Sequence, residues 1–179
     1  FEAMVPAILI LTLAWTLKSM TDSLGAAEYV SGVVANSAAG LQQLLPAIIF
    51  IVAAFLAFAT GTSWGTFGIL IPICIAVFPA AEPLRIISIS ACMAGAVCGD
   101  HISPISDTTI MASAGAECKH VHHVSSQLPY ALTVATVSFI TFLVAGFTQQ
   151  LGIFGSAVVS WICGISLLAG ALYVLKKKF

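Results

Sequence analysis

The sequence predicts an all-α integral membrane protein, with transmembrane helices assembled around a re-entrant hairpin and a broken helix. Three observations carry that prediction. First, 60% of the 179 residues are hydrophobic and 7% charged, with a mean hydropathy of +1.09. A soluble domain carries about 25% charged residues, so this chain has too few to face water. Second, two C-terminal apolar runs are long enough to span a bilayer. Third, the shorter apolar runs in the middle are interrupted by polar islands, "TGTSWGT" and "CGDHISPISDTTI".

The chain opens on "FEAMVPAILIL", which has neither an initiator Met nor a basic n-region. It does not read as a signal peptide and is expected to lie within a longer chain. A span needs about 20 mostly apolar residues. Residues 128–148 and 151–175 meet that condition, the second followed directly by "KKK", and Ala3 to Leu17 forms a third run with Lys18 able to snorkel at its end. Residues 21–40, with Asp22 and Glu28, are too polar for a lipid-facing span and read equally as a loop, an interfacial helix or a broken element.

The middle runs, 44–59, 67–81 and 86–98, are mostly short for a full span. Gly- or Pro-interrupted segments of this kind predict discontinuous helices and hairpins. Non-helical backbone at membrane depth survives only against protein or a wet cavity, because lipid satisfies no N–H or C=O. Lys/Arg bias places the C-terminal "KKK" in the cytoplasm. Counting back two spans puts the loop "GAECKHVHHVSSQ" on the same side, and "AEPLR", with Glu82 and Arg85, outside. The hairpin around "GTSWGT" then enters from the outer face.

The two polar islands echo each other: "TSWGT" (Thr62 to Thr66) and "ISDTT" (Ile105 to Thr109) share Ser-x-x-Thr. Gly61 precedes the first and Gly65 lies within it, while Pro104 precedes the second. Such breaks free backbone carbonyls, and together with hydroxyl oxygens these suit hard monovalent cations. The competing reading is ordinary Ser/Thr bonding between packed helices. The GxxxG spacings Gly61/Gly65 and Gly95/Gly99 point the same way, to close helix packing.

Asp100 and Asp107 tip the balance, since an intramembrane carboxylate is a functional hypothesis by default. Desolvation favours its protonated form and a bound cation its charged form, so one carboxylate can exchange Na⁺ for H⁺. Asp107, amid Ser106, Thr108 and Thr109, is the first choice for this shared site. Asp100 is second, with helix N-capping as its structural alternative. His101 is expected either to relay protons or sense pH, or to hold the break by hydrogen bonding. His120, His122 and His123 read as a solvated or pH-sensing loop surface rather than a metal site. Five scattered cysteines (Cys74, Cys92, Cys98, Cys118, Cys163) suit reduced, packing thiols. A net charge of −1 gives no basic surface for nucleic acid.

"FATGTSWGTFGILIPI", "GAVCGDHISPISDTTIMASAGAECKHVHHVSSQLPYAL" and, near the start, "PAILILTLAW…LGAAEYV" closely resemble the NhaC family of sodium/proton antiporters, within the larger ion-transporter superfamily. The resemblance implies a fold of inverted repeats, of which this chain supplies the second, within a multi-pass protein of the cytoplasmic membrane. It places Thr62, Ser63 and Thr66 at the hairpin tip, and Ser103, Ser106, Asp107, Thr108 and Thr109 on the broken-helix side. Asp107, Ser106 and Thr109 are the expected Na⁺ ligands. The implied partners are Na⁺, protons, the bilayer and a first repeat outside this chain; no cofactor is expected beyond the transported ions, and a homo-oligomer is left open. Relatives in the family also exchange malate and lactate, but no arginine lies near either break to clamp a carboxylate. An intramembrane hydrolase using His101, Asp100 and Asp107 is disfavoured, because neither HExxH nor a nucleophile elbow is present. A channel and a non-transporting packing fragment are the remaining alternatives.

Overall fold

The structure, a computed structural model, describes residues 39–178 and positions 12, 16, 19, 20 and 23–25. Apart from those positions, the expected span from Ala3 to Leu17, Lys18 and the segment 21–38, with Asp22 and Glu28, lie outside the described residues. Residues 39–178 form helices joined by short turns: α1 (Ala39–Thr60), α2 (Ser63–Val77), α3 (Pro83–Ile102), α4 (Asp107–Gly115), α5 (His120–Phe147) and, after a 3-10 turn at Gln149–Leu151, α6 (Gly152–Lys178).

Four helical segments are long and apolar enough to cross a membrane: Gln42–Thr60, Pro83–Ile102, His120–Phe147 and Gln149–Lys176. The expectation of three short middle elements therefore holds for α2 alone. Its 15 residues reach about 22 Å at 1.5 Å per residue, against a hydrocarbon core of about 30 Å. α1 and α3, at 22 and 20 residues, gain span length from flanking polar and small residues that a purely apolar count leaves out. Residues 39–77 thus make a hairpin with one long and one short arm.

α1 and α3 run parallel, and small residues set how closely they approach. A Cβ at Gly95 would overlap the Phe50 carbonyl oxygen, and one at Gly99 the Ala54 carbonyl oxygen. One turn further, the Ser103 hydroxyl donates to the Phe58 carbonyl at 2.7 Å. Positions 95, 99 and 103 on one chain segment thus meet 50, 54 and 58 on the other, both advancing by four residues, the spacing of one helix face. Ala53, Ala57, Cys74, Cys92 and Ala96 fill the core beside this seam, the small-residue packing expected where backbones must come close. The Gly95/Gly99 spacing packs helices as predicted. The Gly61/Gly65 spacing does not: Gly61 lies in a turn, and a Cβ at Gly65 would meet only Thr62 of its own helix.

α5 runs antiparallel to α1, with Phe142 against Phe50 (ring centroids 5.6 Å apart) and Gly146 closing on the Gln43 carbonyl oxygen. α6 returns antiparallel to α5: Ser156 donates to the Ala145 carbonyl (3.1 Å), and Gly164 lies against Thr141. The hairpin tip, the Pro104 break, the start of α5 and the end of α6 consequently share one end of the bundle. Lys119 and Lys176 therefore lie at that end and Arg85 at the other, the relative arrangement required by the charge count. Phe154, Trp161 and Tyr173 on α6 are exposed, a surface suited to lipid or further protein.

The loop expected around residues 116–127 is corrected. Only 116–119 is a turn, and His120, His122 and His123 begin α5. No Gly or Pro interrupts 119–127, so the helix continues outward past the apolar run. Its 28 residues extend about 42 Å, more than a bilayer core requires.

Enlarging either seam glycine should separate α1 from α3. Gly95→Val and Gly99→Val are each expected to destabilise the protein by about 1–3 kcal/mol, read as a lowered unfolding midpoint in detergent. Gly68→Ala, at a position open within 4 Å, serves as the tolerated control.

Candidate functional site

The site begins with what Pro104 does to the backbone. Proline has no N–H and disfavours helical geometry in the residue before it. Ser103 accordingly takes an extended conformation (φ −72°, ψ 127°) and caps α3. The chain then turns through Pro104 and Ile105 and restarts at Ser106, which occupies the N-cap position of α4. The predicted break is present at the predicted proline.

The first polar island supplies the opposing surface. The Gly61 N–H bonds to the Ala57 carbonyl at 2.8 Å, ending α1. Its φ of +68° is left-handed backbone that favours glycine. A Cβ there would also lie 2.9 Å from Ile105 Cγ1 and 3.0 Å from the Ile105 carbonyl oxygen. The hairpin tip and the break therefore touch. Thr62 precedes α2 without a side-chain cap bond. Ser63 is buried, and Thr66, 1% exposed, donates back to the Thr62 carbonyl at 3.1 Å.

Among the break's own side chains, the structure gathers the hydroxyls around Asp100 rather than Asp107. Asp100 is 9% exposed in the last turn of α3. The fully buried Ser106 hydroxyl donates to its Oδ1 at 2.6 Å. Thr108 Oγ1 lies 2.8 Å from Ser106 Oγ. Because the single Ser106 proton is committed to the carboxylate, Thr108 is the donor to Ser106, and the chain runs Thr108 to Ser106 to Asp100. The expected N-cap alternative for Asp100 is corrected, since this residue ends a helix instead of starting one. A carboxylate there faces the negative end of the helix dipole, and the chain's one arginine, Arg85, is 15 residues back along α3. Asp107 is exposed in the first turn of α4, and its Oδ1 accepts the Thr108 N–H at 2.8 Å, the stabilising position for an acid on a helix.

Two of the carbonyls at the break, those of His101 and Pro104, are occupied rather than open as ligands. Thr109 Oγ1 donates to the His101 carbonyl at 3.1 Å, and Gln127 Nε2 from α5 donates to it at 2.9 Å. His120 Nε2 lies 2.7 Å from the Pro104 carbonyl, while its Nδ1 lies 3.1 Å from Ser113 Oγ. Sequence reasoning missed both α5 residues as parts of the site. The seven-residue interval from His120 to Gln127, two turns along one face, was the available signal. The His101 imidazole, with Thr108, Thr109, Gln127 and Tyr130, lines a cavity of about 830 Å³ between α3, α4 and α5. Cys74 and Cys92 are buried free thiols that pack in the core, and Cys118 is exposed.

A short-armed hairpin meets a broken helix beside a buried carboxylate, within a bundle whose long helices are apolar enough to cross a membrane. Comparison with known proteins places the chain more narrowly. The sequence model of the Na⁺/H⁺ antiporter family matches residues 1–147, and the chain belongs to that family. It is 46% identical over 178 residues to an uncharacterized protein of Haemophilus influenzae, covering 99% of this chain and 33% of that protein. It is 34% identical over 113 residues to the malate-2H⁺/Na⁺-lactate antiporter of Bacillus subtilis (60% of this chain, 24% of the relative). The arginine/ornithine antiporter of Halobacterium salinarum is 33% identical over 120 residues (63% and 24%). The chain thus spans between a quarter and a third of the length of these relatives. No solved structure matches it.

Ser103→Ala is expected to leave the Phe58 carbonyl without its partner, destabilising the protein by about 1–3 kcal/mol. Thr62→Ala removes no cap bond and should stay within about 0.5 kcal/mol of the parent. Chemical unfolding of the purified protein in detergent checks both.

Proposed function

We propose that the chain forms one repeat of a secondary transporter that exchanges Na⁺ for H⁺ across the cytoplasmic membrane, its C-terminus on the cytoplasmic side. The single observation that carries this reading is the buried Asp100 carboxylate, bonded to Ser106 where the hairpin tip meets the break. An ionised carboxylate at the negative end of α3 calls for one positive charge in its place of burial. A proton neutralises it. A Na⁺ ion does the same, with Asp100, Ser106 and Thr108 offering oxygen ligands, and the two exclude each other because each satisfies the same charge.

Asp107 stands at the exposed start of α4, where it orders the helix end that carries Thr108 and serves as a second carboxylate for an arriving ion. Ser103 and Thr109 hold the broken-helix side, and Thr62, Ser63 and Thr66 the facing hairpin tip. His101 lines the cavity from which a proton reaches Asp100. A first repeat supplied by the remainder of the transporter completes the cavity, in keeping with the fraction of its relatives that this chain covers.

Exchange of a small organic ion by the same site is the second reading, favoured by the two relatives named for malate/lactate and arginine/ornithine. The position of Arg85, about 22 Å from Asp100 along α3, disfavours a carboxylate substrate bound here.

Everted vesicles carrying the complete transporter under an imposed pH gradient separate these readings. Proton release on adding Na⁺ is expected, falling to background in Asp100→Asn, which preserves shape and removes the charge. Asp107→Asn should retain exchange with a raised Na⁺ KM. Full activity in Asp100→Asn together with loss in Asp107→Asn would move the exchanging carboxylate to Asp107. Proton release only when malate or arginine is supplied would establish the organic-ion reading.

A further inference from the structure

The two α5 residues at the break have no part in the exchange chemistry above, yet both touch its backbone. His120 and Gln127 are seven residues apart on α5, and two helical turns bring them to one face. Each reaches a carbonyl at the Pro104 interruption. Gln127 Nε2 donates to His101 O at 2.9 Å and His120 Nε2 to Pro104 O at 2.7 Å. A carbonyl only accepts, so Nε2 of His120 carries a proton, and its Nδ1 faces the Ser113 hydroxyl on α4 at 3.1 Å. One face of α5 therefore ties together the end of α3, the break and α4.

We infer that His120 and Gln127 are positioning residues: a brace on α5 that caps the carbonyls freed at Pro104 and so fixes Ser106 and Thr108 against Asp100. The inference rests on the proposed ion site at Asp100 and gives that site its rigidity. Two pieces of geometry support it. A carbonyl freed by the break has no helical N–H partner and costs free energy if left unpaired, and side-chain donors from α5 supply that partner at His101 and Pro104. Capping also engages both carbonyls as hydrogen-bond acceptors, which favours the carboxylate and hydroxyl oxygens as ligands. The ion then meets one charged group and a fixed pair of hydroxyls, while the backbone around them cannot collapse or reseal into a continuous helix.

The brace is selective about chemistry. Each position needs an N–H donor of the right reach, and charge on the donor is not required. His120→Gln keeps an amide donor, whereas His120→Leu and Gln127→Met keep bulk and lose it.

Two measurements on the complete transporter test the inference. In proteoliposomes, His120→Leu and Gln127→Met should each raise the Na⁺ KM about five- to tenfold, the loss expected for one hydrogen-bonded cap. Maximal rate should change by less than about twofold, and His120→Gln should recover most of the lost affinity. In parallel, hydrogen exchange followed by mass spectrometry reads the break directly. The amides of Ser106 and Ile110, which bond to the Ser103 and Ser106 carbonyls, should exchange faster in both donor-deleting variants and at the parent rate in His120→Gln. Unchanged amide exchange in both variants would overturn the brace whatever the substrate. Faster exchange with an unaltered KM would overturn its role in shaping the ion site. A parent protein that moves no protons on Na⁺ addition would overturn the Na⁺/H⁺ reading, and the brace would then stand or fall on amide exchange alone.

Discussion

The register between α1 and α3 is the constraint on which the rest depends. Gly95, Gly99 and Ser103 meet the carbonyls of Phe50, Ala54 and Phe58 in steps of four residues. Two bare Cα positions let the helices approach, and the third converts the approach into a hydrogen bond. Because the helices are parallel, this register fixes their C-terminal ends at one level. The hairpin turn at Gly61 and the break at Pro104 then have to meet. A slip of one turn would carry Ile105 away from Gly61 and separate the two halves of the polar cluster. Much of the candidate site's geometry is thus a consequence of the small residues along the α1–α3 seam.

A second constraint follows from the solvent. Interrupting a helix at membrane depth exposes carbonyls that lipid cannot satisfy. The structure answers with side chains: Thr109 and Gln127 on His101, His120 on Pro104, Ser103 on Phe58. Three other prolines, Pro46, Pro72 and Pro129, lie inside continuous helices. Proline alone therefore does not make the break. At Pro104 it coincides with nearby hydroxyl, amide and imidazole groups able to stabilise an open backbone, and the helix stays open.

The same accounting explains the two aspartates. They are seven residues apart, yet one is buried at the end of a helix and the other exposed at the start of the next. Helix dipoles make the second position comfortable and the first demanding. The chain's only arginine lies at the other end of α3, and under the exchange we propose a mobile charge would meet that demand. Sequence proximity suggested a ring of hydroxyls around Asp107, because Ser106, Thr108 and Thr109 are its neighbours in the chain. Restarting the helix at residue 107 fans neighbouring side chains to different faces. Ser106 goes back to Asp100, Thr108 bonds the Ser106 hydroxyl, and Thr109 goes to the His101 carbonyl.

What the sequence determined by itself was whatever composition and local backbone rules control. Scarce charge required a membrane, apolar length gave the outer helices, Pro104 located the break, and GxxxG at Gly95 and Gly99 located the close seam. It also singled out both polar islands, because each concentrates polar groups between apolar runs. Only the tertiary structure decided which partners meet. The same spacing at Gly61 and Gly65 became a left-handed turn, the histidine-rich stretch became the first turn of α5, and Asp100 received the hydroxyls assigned to its neighbour. The contacts that fix the site join residues far apart in sequence, Phe58 with Ser103 and His101 with Gln127, and local periodicity carries no record of such distances.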